Sequence, residues 1–567
     1  MEFSSNDDFA SKVLWRPIGK PSDSHGMFPA LEPGTSVVDG IVAERDVAVA
    51  LRDGTTIYVD IYRPEGAVDV PAIVAWSPYG KRAGYAGLNN VPGVPPGTYS
   101  EATKLEGPDP LYWTRHGYAV INPDSRGAGN SEGRIPVWCA QEGRDIADLI
   151  EWTAQQEWSN EKVGMAGNSW LAASQWWAAA ERPPHLAAIA PWEGLTDLYR
   201  HLVSPGGIPE VGFTEFLLSM MHGTEAVEDL VAMRREYPNL NEYWESKRVP
   251  LERIEIPTYM TAGWSHFHLM GVMDAFRRIS SSEKWLRAHR DFEWPDQYAS
   301  ENLADLRLFF DRYLKGEPNG WELTPPVRID VMDAGDRDHE VRRVEKAFPL
   351  PDTQWRTLPL DAAGGSLVRT QPDVESKVRY DAQKGTAHFD LTVEEPLEIT
   401  GYMKLRLWVE ADGSDDADLF VSVQKLGLDG AERPTLVLGQ PHHGAWATLR
   451  VSHRELDETA STPSEPVLIH SVEQLLSPGE VVPVEIGFWP TSRFWHAGET
   501  LRVIVSGHSI RDPRWFEPFA YDLRNAGEHI IHTGGRYDSH LLIPVIPPAP
   551  LRPVLSDAPL SASVLAE

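Results

Sequence analysis

The side chains best suited to covalent chemistry lie in Lys162-Val163-Gly164-Met165-Ala166-Gly167-Asn168-Ser169-Trp170 and the Ala- and Trp-rich run that follows. A short apolar run ends at Ala166, a tight Gly-Asn-Ser-Trp turn follows, and a helical segment can continue to Glu181. A serine on a sharp strand-to-helix turn carries its hydroxyl clear of the sheet, and the first backbone N–H groups of the helix face an incoming carbonyl oxygen. Ser169 is therefore the candidate nucleophile. The fifth position of G-x-S-x-G is Leu171, so the pentapeptide is incomplete, and an ordinary strand-to-helix turn is the competing reading.

Such a serine needs a base, a group that orients the base, and donors for the oxyanion. His289 closes the run Lys284–Ala288, the last strand of its unit, and is the candidate base. His266 and His268 are rivals, since both follow the end of the run Thr258–Ala262. The orienting acid usually follows that same strand, but Gly263-Trp264-Ser265-His266-Phe267-His268 contains no carboxylate. Glu193, just past the preceding strand, is the candidate acid, with Asp197 behind it. The Trp170 N–H and the Tyr79 hydroxyl, on a Ser-Pro-Tyr turn, are the candidate oxyanion donors. Trp176, Trp192, Trp264 and His266 are candidate substrate contacts for a bulky apolar group, with most tryptophans expected in the core.

The positioning elements are legible. Ala72–Trp76, Tyr118–Asn122, Lys162–Ala166, His185–Pro191, Thr258–Gly263 and Lys284–His289 read as buried strands. Glu142–Gln155 and Leu303–Leu314 have apolar residues at helical spacing, the second stopped at Gly316. Alternating strands and helices predict a mostly parallel sheet with helices on both faces, and a ligand at the carboxyl ends of the strands. Tyr79, Arg126 and Ser169 all lie just past such ends. Residues 196–252 change to a Leu-, Met-, Phe- and Glu-rich helical texture, which predicts a cap over the site. From residue 323 short alternating strands replace helices, which predicts a sandwich or jelly roll to residue 567. The catalytic α/β unit is expected at 41–195 and 253–322, with residues 1–40 an arm over its surface.

Composition narrows the function. The net charge of −31 argues against nucleic acid and against an anionic membrane surface. No run of about 18 apolar residues is present. The acidic start Met1–Asp8 lacks the features of a secretory signal, and a cytoplasmic location is expected. The one cysteine, Cys139, excludes an intramolecular disulfide and reads as a small core residue. The loop Arg126–Gly133 lacks the lysine ending and glycine spacing of a phosphate cradle. His442-His443 lacks metal-ligand spacing, and no H-E-x-x-H or Cys cluster occurs, so neither metal nor cofactor is expected.

Together these residues resemble the cocaine esterase/NonD group of α/β-hydrolases, relatives of X-prolyl dipeptidyl peptidases and α-amino-acid ester hydrolases. The resemblance spans most of the chain. It includes Asn122-Pro123-Asp124-Ser125-Arg126-Gly127, Ile150-Glu151-Trp152, Val163-Gly164-Met165 through Ser169, and Ala188-Ile189-Ala190-Pro191. It continues in Ala417-Asp418-Leu419-Phe420-Val421, Ser452-His453-Arg454, Trp489-Pro490-Thr491-Ser492 and Pro544-Val545-Ile546-Pro547. It implies an α/β-hydrolase fold with an inserted helical cap and a C-terminal jelly roll. It also implies Ser169 as nucleophile, His289 as base, and Tyr79 with the Trp170 amide as oxyanion donors. One departure stands out: Gly-Trp-Tyr/Phe-Asp in the family is Gly263-Trp264-Ser265-His266 here, so the family's aspartate has no counterpart.

The expected function is a Ser-His-acid hydrolase that cleaves an ester of a fairly bulky apolar small molecule through an acyl-enzyme. An amidase, acylase or X-Pro dipeptidyl-peptidase-like activity is the alternative, with Glu210, Glu215, Glu225, Glu228 and Asp229 of the cap available to an amine. A catalytically inactive ligand binder is the alternative of another class. The jelly roll could be an active-site wall or the interface of a homo-oligomer.

Overall fold

The buried apolar runs assemble into one central, mostly parallel sheet. The computed structural model describes residues 12–19, 30–82, 93–511 and 518–548. An antiparallel meander of β1 (Gly34–Val38), β2 (Ile41–Ala50) and β3 (Thr56–Pro64) leads into the sheet. The parallel strands are β4 (Val70–Val74), β5 (Ala119–Asp124), β6 (Ser159–Asn168), β7 (Leu186–Trp192), β8 (Thr258–Gly263), β9 (Lys284–His289) and β10 (Val327–Met332). Their order in space is β1-β2-β3-β5-β4-β6-β7-β8-β9-β10, with β3 antiparallel to β5. β4, β5 and β8 are buried along their whole length, which is why they read as unbroken apolar runs. The chain steps outward from β4 to β5 and returns past β4 to β6. That reversal opens a crevice at the carboxyl ends of the strands, and Ser169 is the first residue after β6.

Helices cover both faces. α1 (Ala140–Ala154), α2 (Trp170–Glu181) and α3 (Leu269–Arg278) contribute to one apolar core. α4 (Ser300–Phe310) packs Leu306, Phe309 and Phe310 into another with Trp113, Tyr118 and Trp192. α4 runs on through one π-helical turn and stops at Gly316, whose φ of 75° only glycine adopts without cost. α2 is buried from Trp170 to Ala180, so it has no polar face, and its apolar sequence follows from that.

Residues 196–252 hold a π-helical turn and three short helices, Gly212–Ser219, Leu230–Glu236 and Glu242–Glu245. They also hold a strand, Ala226–Glu228, that alternation did not reveal; it pairs with Trp15–Pro17 near the N-terminus. Arg16 secures this contact through Glu215 at 2.6 Å and Asp229 at 3.1 Å. Residues 1–11 and 20–29 of the expected arm lie outside the described residues, and Gly34–Val38 already belong to the sheet.

From Gln354 onward the described residues form strands, with one short 3₁₀ turn at Val451–His453. One layer pairs Ser376–Asp381, Glu528–Thr533, Lys404–Asp412 and Val482–Gly487. The other pairs Thr386–Thr392, Thr500–Ser506, Asp418–Leu426 and Ala445–Arg450. A separate apolar core fills the space between the layers. Residues 549–567 lie outside the described residues.

Candidate active site

Ser169 sits at the turn between β6 and α2 with φ 56° and ψ −116°, a conformation a serine adopts only under constraint. Its N–H donates to the carbonyls of Glu193 at 3.0 Å and Trp192 at 3.2 Å, which ties the turn to the end of β7. Gly167 makes the turn possible. Its φ is +127°, and a Cβ there would stand 2.5 Å from Leu171 Cδ2 and 2.9 Å from the Glu106 carbonyl. Leu171, the residue that breaks the pentapeptide, therefore fills the space the missing side chain leaves.

His268, at the start of α3, turns its Nε2 to 3.3 Å from the Ser169 hydroxyl. Its Nδ1 is buried and makes no hydrogen bond. Burial lowers the pKa of this imidazole to about 3, with His201 nearby adding to the effect, so the ring is neutral and can accept a proton. The Tyr79 phenol also reaches the Ser169 side chain, and burial with Glu106 and Glu293 nearby holds its pKa well above the usual value. The phenol keeps its proton and remains a donor. The Trp170 amide opens α2, where a helix leaves its first N–H groups without intrahelical partners. The indoles of Trp76 and Trp170 both donate to Glu142 Oε1, at 2.9 and 2.8 Å, and clamp this end of the helix.

The imidazole within reach of Ser169 is thus that of His268, whereas the sequence pointed to His289. His289 ends β9, two strands from the elbow's neighbour β7, and its Nε2 faces Glu193 at 3.1 Å and Asp296 at 3.3 Å. Its Nδ1 lies 3.1 Å from the Asp291 carbonyl. Burial lowers its pKa, but Asp296 and Glu193 more than offset this and the net shift is upward. Glu193 is fully buried, with φ 58°; one carboxylate oxygen lies 3.1 Å from His289 Nε2 and the other 3.1 Å from His266 Nδ1, which accepts the His268 N–H at 3.2 Å. Burial raises its pKa, and the hydrogen bond from His289 opposes that shift. Gly263 leaves room for this carboxylate: a Cβ there would lie 3.1 Å from both Glu193 oxygens. The side chains of Glu193 and His289 lie together, but among the described residues neither side chain hydrogen-bonds the Ser169 hydroxyl.

Residues 53–229 match the family of the X-Pro dipeptidyl-peptidase (S15 family), and residues 319–542 match the X-Pro dipeptidyl-peptidase C-terminal non-catalytic domain. A cocaine esterase of Rhodococcus sp. (strain MB1 Bresler) is 24% identical over 88% of this chain and 98% of its own. A solved CocE/NonD family hydrolase from Staphylococcus aureus is 35% identical, superposes with a TM-score of 0.87, and is covered over 99% of its length by 93% of this chain. The chain belongs to the CocE/NonD family. It is a serine hydrolase acting on ester or amide bonds. An α-amino acid ester hydrolase, 18% identical with a TM-score of 0.69 over 92% of this chain and 99% of that one, shares the fold.

Several expected contacts of this CocE/NonD hydrolase do not reach the site. Trp176, on α2, is fully buried in the apolar core. Trp192 donates its indole N–H to Asp296 at 2.9 Å and packs in the core on the α4 face. Trp264 donates to the Asp330 carbonyl at 2.9 Å and packs near Phe348. All three are core residues, because an alternation of large apolar side chains does not say which sheet face they take. Arg126 is clasped by Asp145 at 2.7 Å and Asp53 at 2.7 Å, away from the elbow. Asp197 pairs with Arg200 at 2.9 Å and not with a catalytic histidine.

The cap's acids are also engaged. Glu210 accepts from the amides of Gly212, Phe213 and Thr214 at 2.7 to 2.9 Å. Glu228 is paired with Lys247 at 2.6 Å and with Tyr243 at 2.7 Å, and Glu215 and Asp229 hold Arg16. The apolar wall beside His268 comes instead from three phenylalanines the sequence did not single out. The Phe267 ring lies 4.0 Å from the His268 ring, 4.9 Å from Phe213 of the cap and 5.5 Å from Phe519 of the C-terminal domain. A small, mostly apolar pocket of about 40 Å³, lined by Ser265, Phe420, Trp446 and Tyr521 among others, adjoins the same loop. Residues far apart in sequence build this wall, so no local pattern announces it.

Proposed function

We propose that this CocE/NonD hydrolase is an esterase in which His268, rather than His289, serves Ser169. The observation that carries the reading is the 3.3 Å contact between His268 Nε2 and Ser169 Oγ at a constrained elbow. Ser169 Oγ attacks the ester carbonyl carbon as its proton passes to His268 Nε2. The carbonyl oxygen becomes the oxyanion, held by the Tyr79 hydroxyl and the Trp170 N–H. The alcohol leaves with the proton from His268. Water then attacks the acyl group, gives its proton to His268, and Ser169 recovers that proton as the acid departs. Glu193, with His289 and His266 on its two oxygens, holds the loop that carries His268. The apolar part of the ester lies against Phe213, Phe267 and Phe519. Four of the five cap acids that could greet a substrate amine are already paired or capping, which favours an ester over an aminopeptidase-type substrate.

The test is turnover of aryl esters beside aryl amides and dipeptidyl amides. Ser169→Ala and His268→Ala are expected to lose roughly 10³-fold or more in ester turnover, while His289→Ala keeps a measurable share. A fluorophosphonate probe labels Ser169 in the folded chain. Full activity in His268→Ala with a dead His289→Ala would return the base to His289, and a preference for amides would move the substrate class.

A further inference from the structure

Three buried side chains meet next to the Ser169–His268 contact. His266, His268 and Glu293 each present one donor atom, and those atoms lie within 4.8 Å of one another. His266 Nε2 stands 3.7 Å from Glu293 Oε2. That separation suits two ligands of one small cation and is long for a direct hydrogen bond. The other nitrogen of His266, Nδ1, accepts the His268 backbone N–H at 3.2 Å and lies 3.1 Å from Glu193 Oε2. The Nδ1 of His268 is buried without a hydrogen bond. Two imidazoles and one carboxylate are a donor set for a borderline divalent ion such as zinc. The linear spacing hides the set: His266-Phe267-His268 follows β8, and Glu293 comes from beyond β9.

We propose that His266, His268 and Glu293 bind a divalent transition-metal ion of the zinc class, and that the ion switches the hydrolase off. The second half rests on His268 being the base proposed above. An imidazole with a metal on Nδ1 keeps its proton on Nε2, and one with a metal on Nε2 has no lone pair left there. Either way it cannot take the proton of Ser169. A second acidic cluster, Asp333 with His496 and Glu499, differs because the Lys425 ammonium already sits between Asp333 and Glu499, 2.8 Å from the latter.

The experiment uses the full chain stripped with EDTA and titrated with cobalt(II) as a spectroscopic probe. One equivalent is expected to produce a visible d–d band that zinc(II) then displaces. Ester turnover is expected to fall in step with zinc binding and to return with EDTA. Glu293→Gln and His266→Gln are expected to abolish the band and to raise the zinc concentration for half-inhibition by about 10- to 100-fold, each measured against its own metal-free rate. His496→Ala keeps both the band and the inhibition. Circular dichroism checks that each variant is folded, and Glu293→Asp provides a milder change at the same position. Absence of saturable binding by the wild type, or a band unchanged in both variants, overturns the site. Binding without inhibition, or in a chain with no ester turnover, overturns the switch and retains the site. Ester turnover through Ser169 and His268 with no metal binding overturns the site and leaves the esterase reading intact.

Discussion

His268 and His289 are both buried histidines near one carboxylate array, and their surroundings push them in opposite directions. Burial dominates at His268 and takes its pKa to about 3. At His289 burial is outweighed by Asp296 and Glu193, and the pKa rises above the ordinary histidine value. A general base works only when deprotonated, so activity is lost as pH falls through its pKa. With His268 as base, the acid limb of kcat/KM for an aryl ester falls well below the ordinary histidine value of about 6.5. With His289 as base, the limb would lie above it. A pH–rate profile on wild type, read alongside a stability check at each pH, separates the two. Asp296, drawn down to about 2 chiefly by Arg287 and His289 against the opposing effect of burial, stays ionised throughout.

The elbow depends on close backbone approach as much as on the serine. Ser169 is held at φ 56° by two hydrogen bonds to the end of β7, and Gly167 opposite Leu171 lets α2 start where it does. Gly167→Ala would combine strain from a positive φ, roughly 1–3 kcal/mol, with overlap of a similar size against Leu171 and the Glu106 carbonyl. The expected outcome is a melting temperature lower by several degrees and ester turnover reduced more than tenfold, about the size of a small misplacement of a reacting group. The same thermal-shift and ester assays check it. Normal turnover and an unchanged melting temperature would mean that the turn relaxes more readily than its neighbours allow.

The whole molecule buries titratable groups of both kinds, and they set opposing limits on stability. Burial holds His268 and His442 at about 3 and His453 and His529 at about 4. Each contributes stability that is present above the unfolded value of about 6.5 and is lost as pH falls towards the folded one. Burial raises Glu106 to about 8 and Glu142 and Asp338 to about 7. Their contribution is present below the ordinary carboxylate range and is lost as pH rises through those values. Lys104, held by burial at about 7, offsets the carboxylates above neutrality, so the melting temperature is expected to fall most clearly as pH drops from about 4.5 to 3, where the histidines still lose stability and the carboxylates have none left to gain. A series of thermal melts across pH at constant ionic strength checks this, and a melting temperature unchanged between about pH 4.5 and 3 would contradict it.

The strands β4 to β9 and the helices on both faces were legible as uninterrupted apolar runs and helical spacing, because burial on both faces of a parallel sheet removes polar residues from it. The change to short alternating strands marked the C-terminal sandwich for a related reason: each strand there has one face on a core. Ser169, Tyr79 and the Trp170 amide follow from single local turns, and local turns are written in adjacent residues. The partner of Ser169 is not local. His289 ends a strand and His266 and His268 lie just past one, and which ring faces the serine depends on side-chain directions set by Glu193, Asp296 and the space at Gly263. Trp176, Trp192 and Trp264 looked available until the sheet assigned them to its packed faces. Glu293 joined the two loop histidines only because β8 and β9 run side by side and bring their loops together, a proximity that long-range packing creates and no neighbouring residue records.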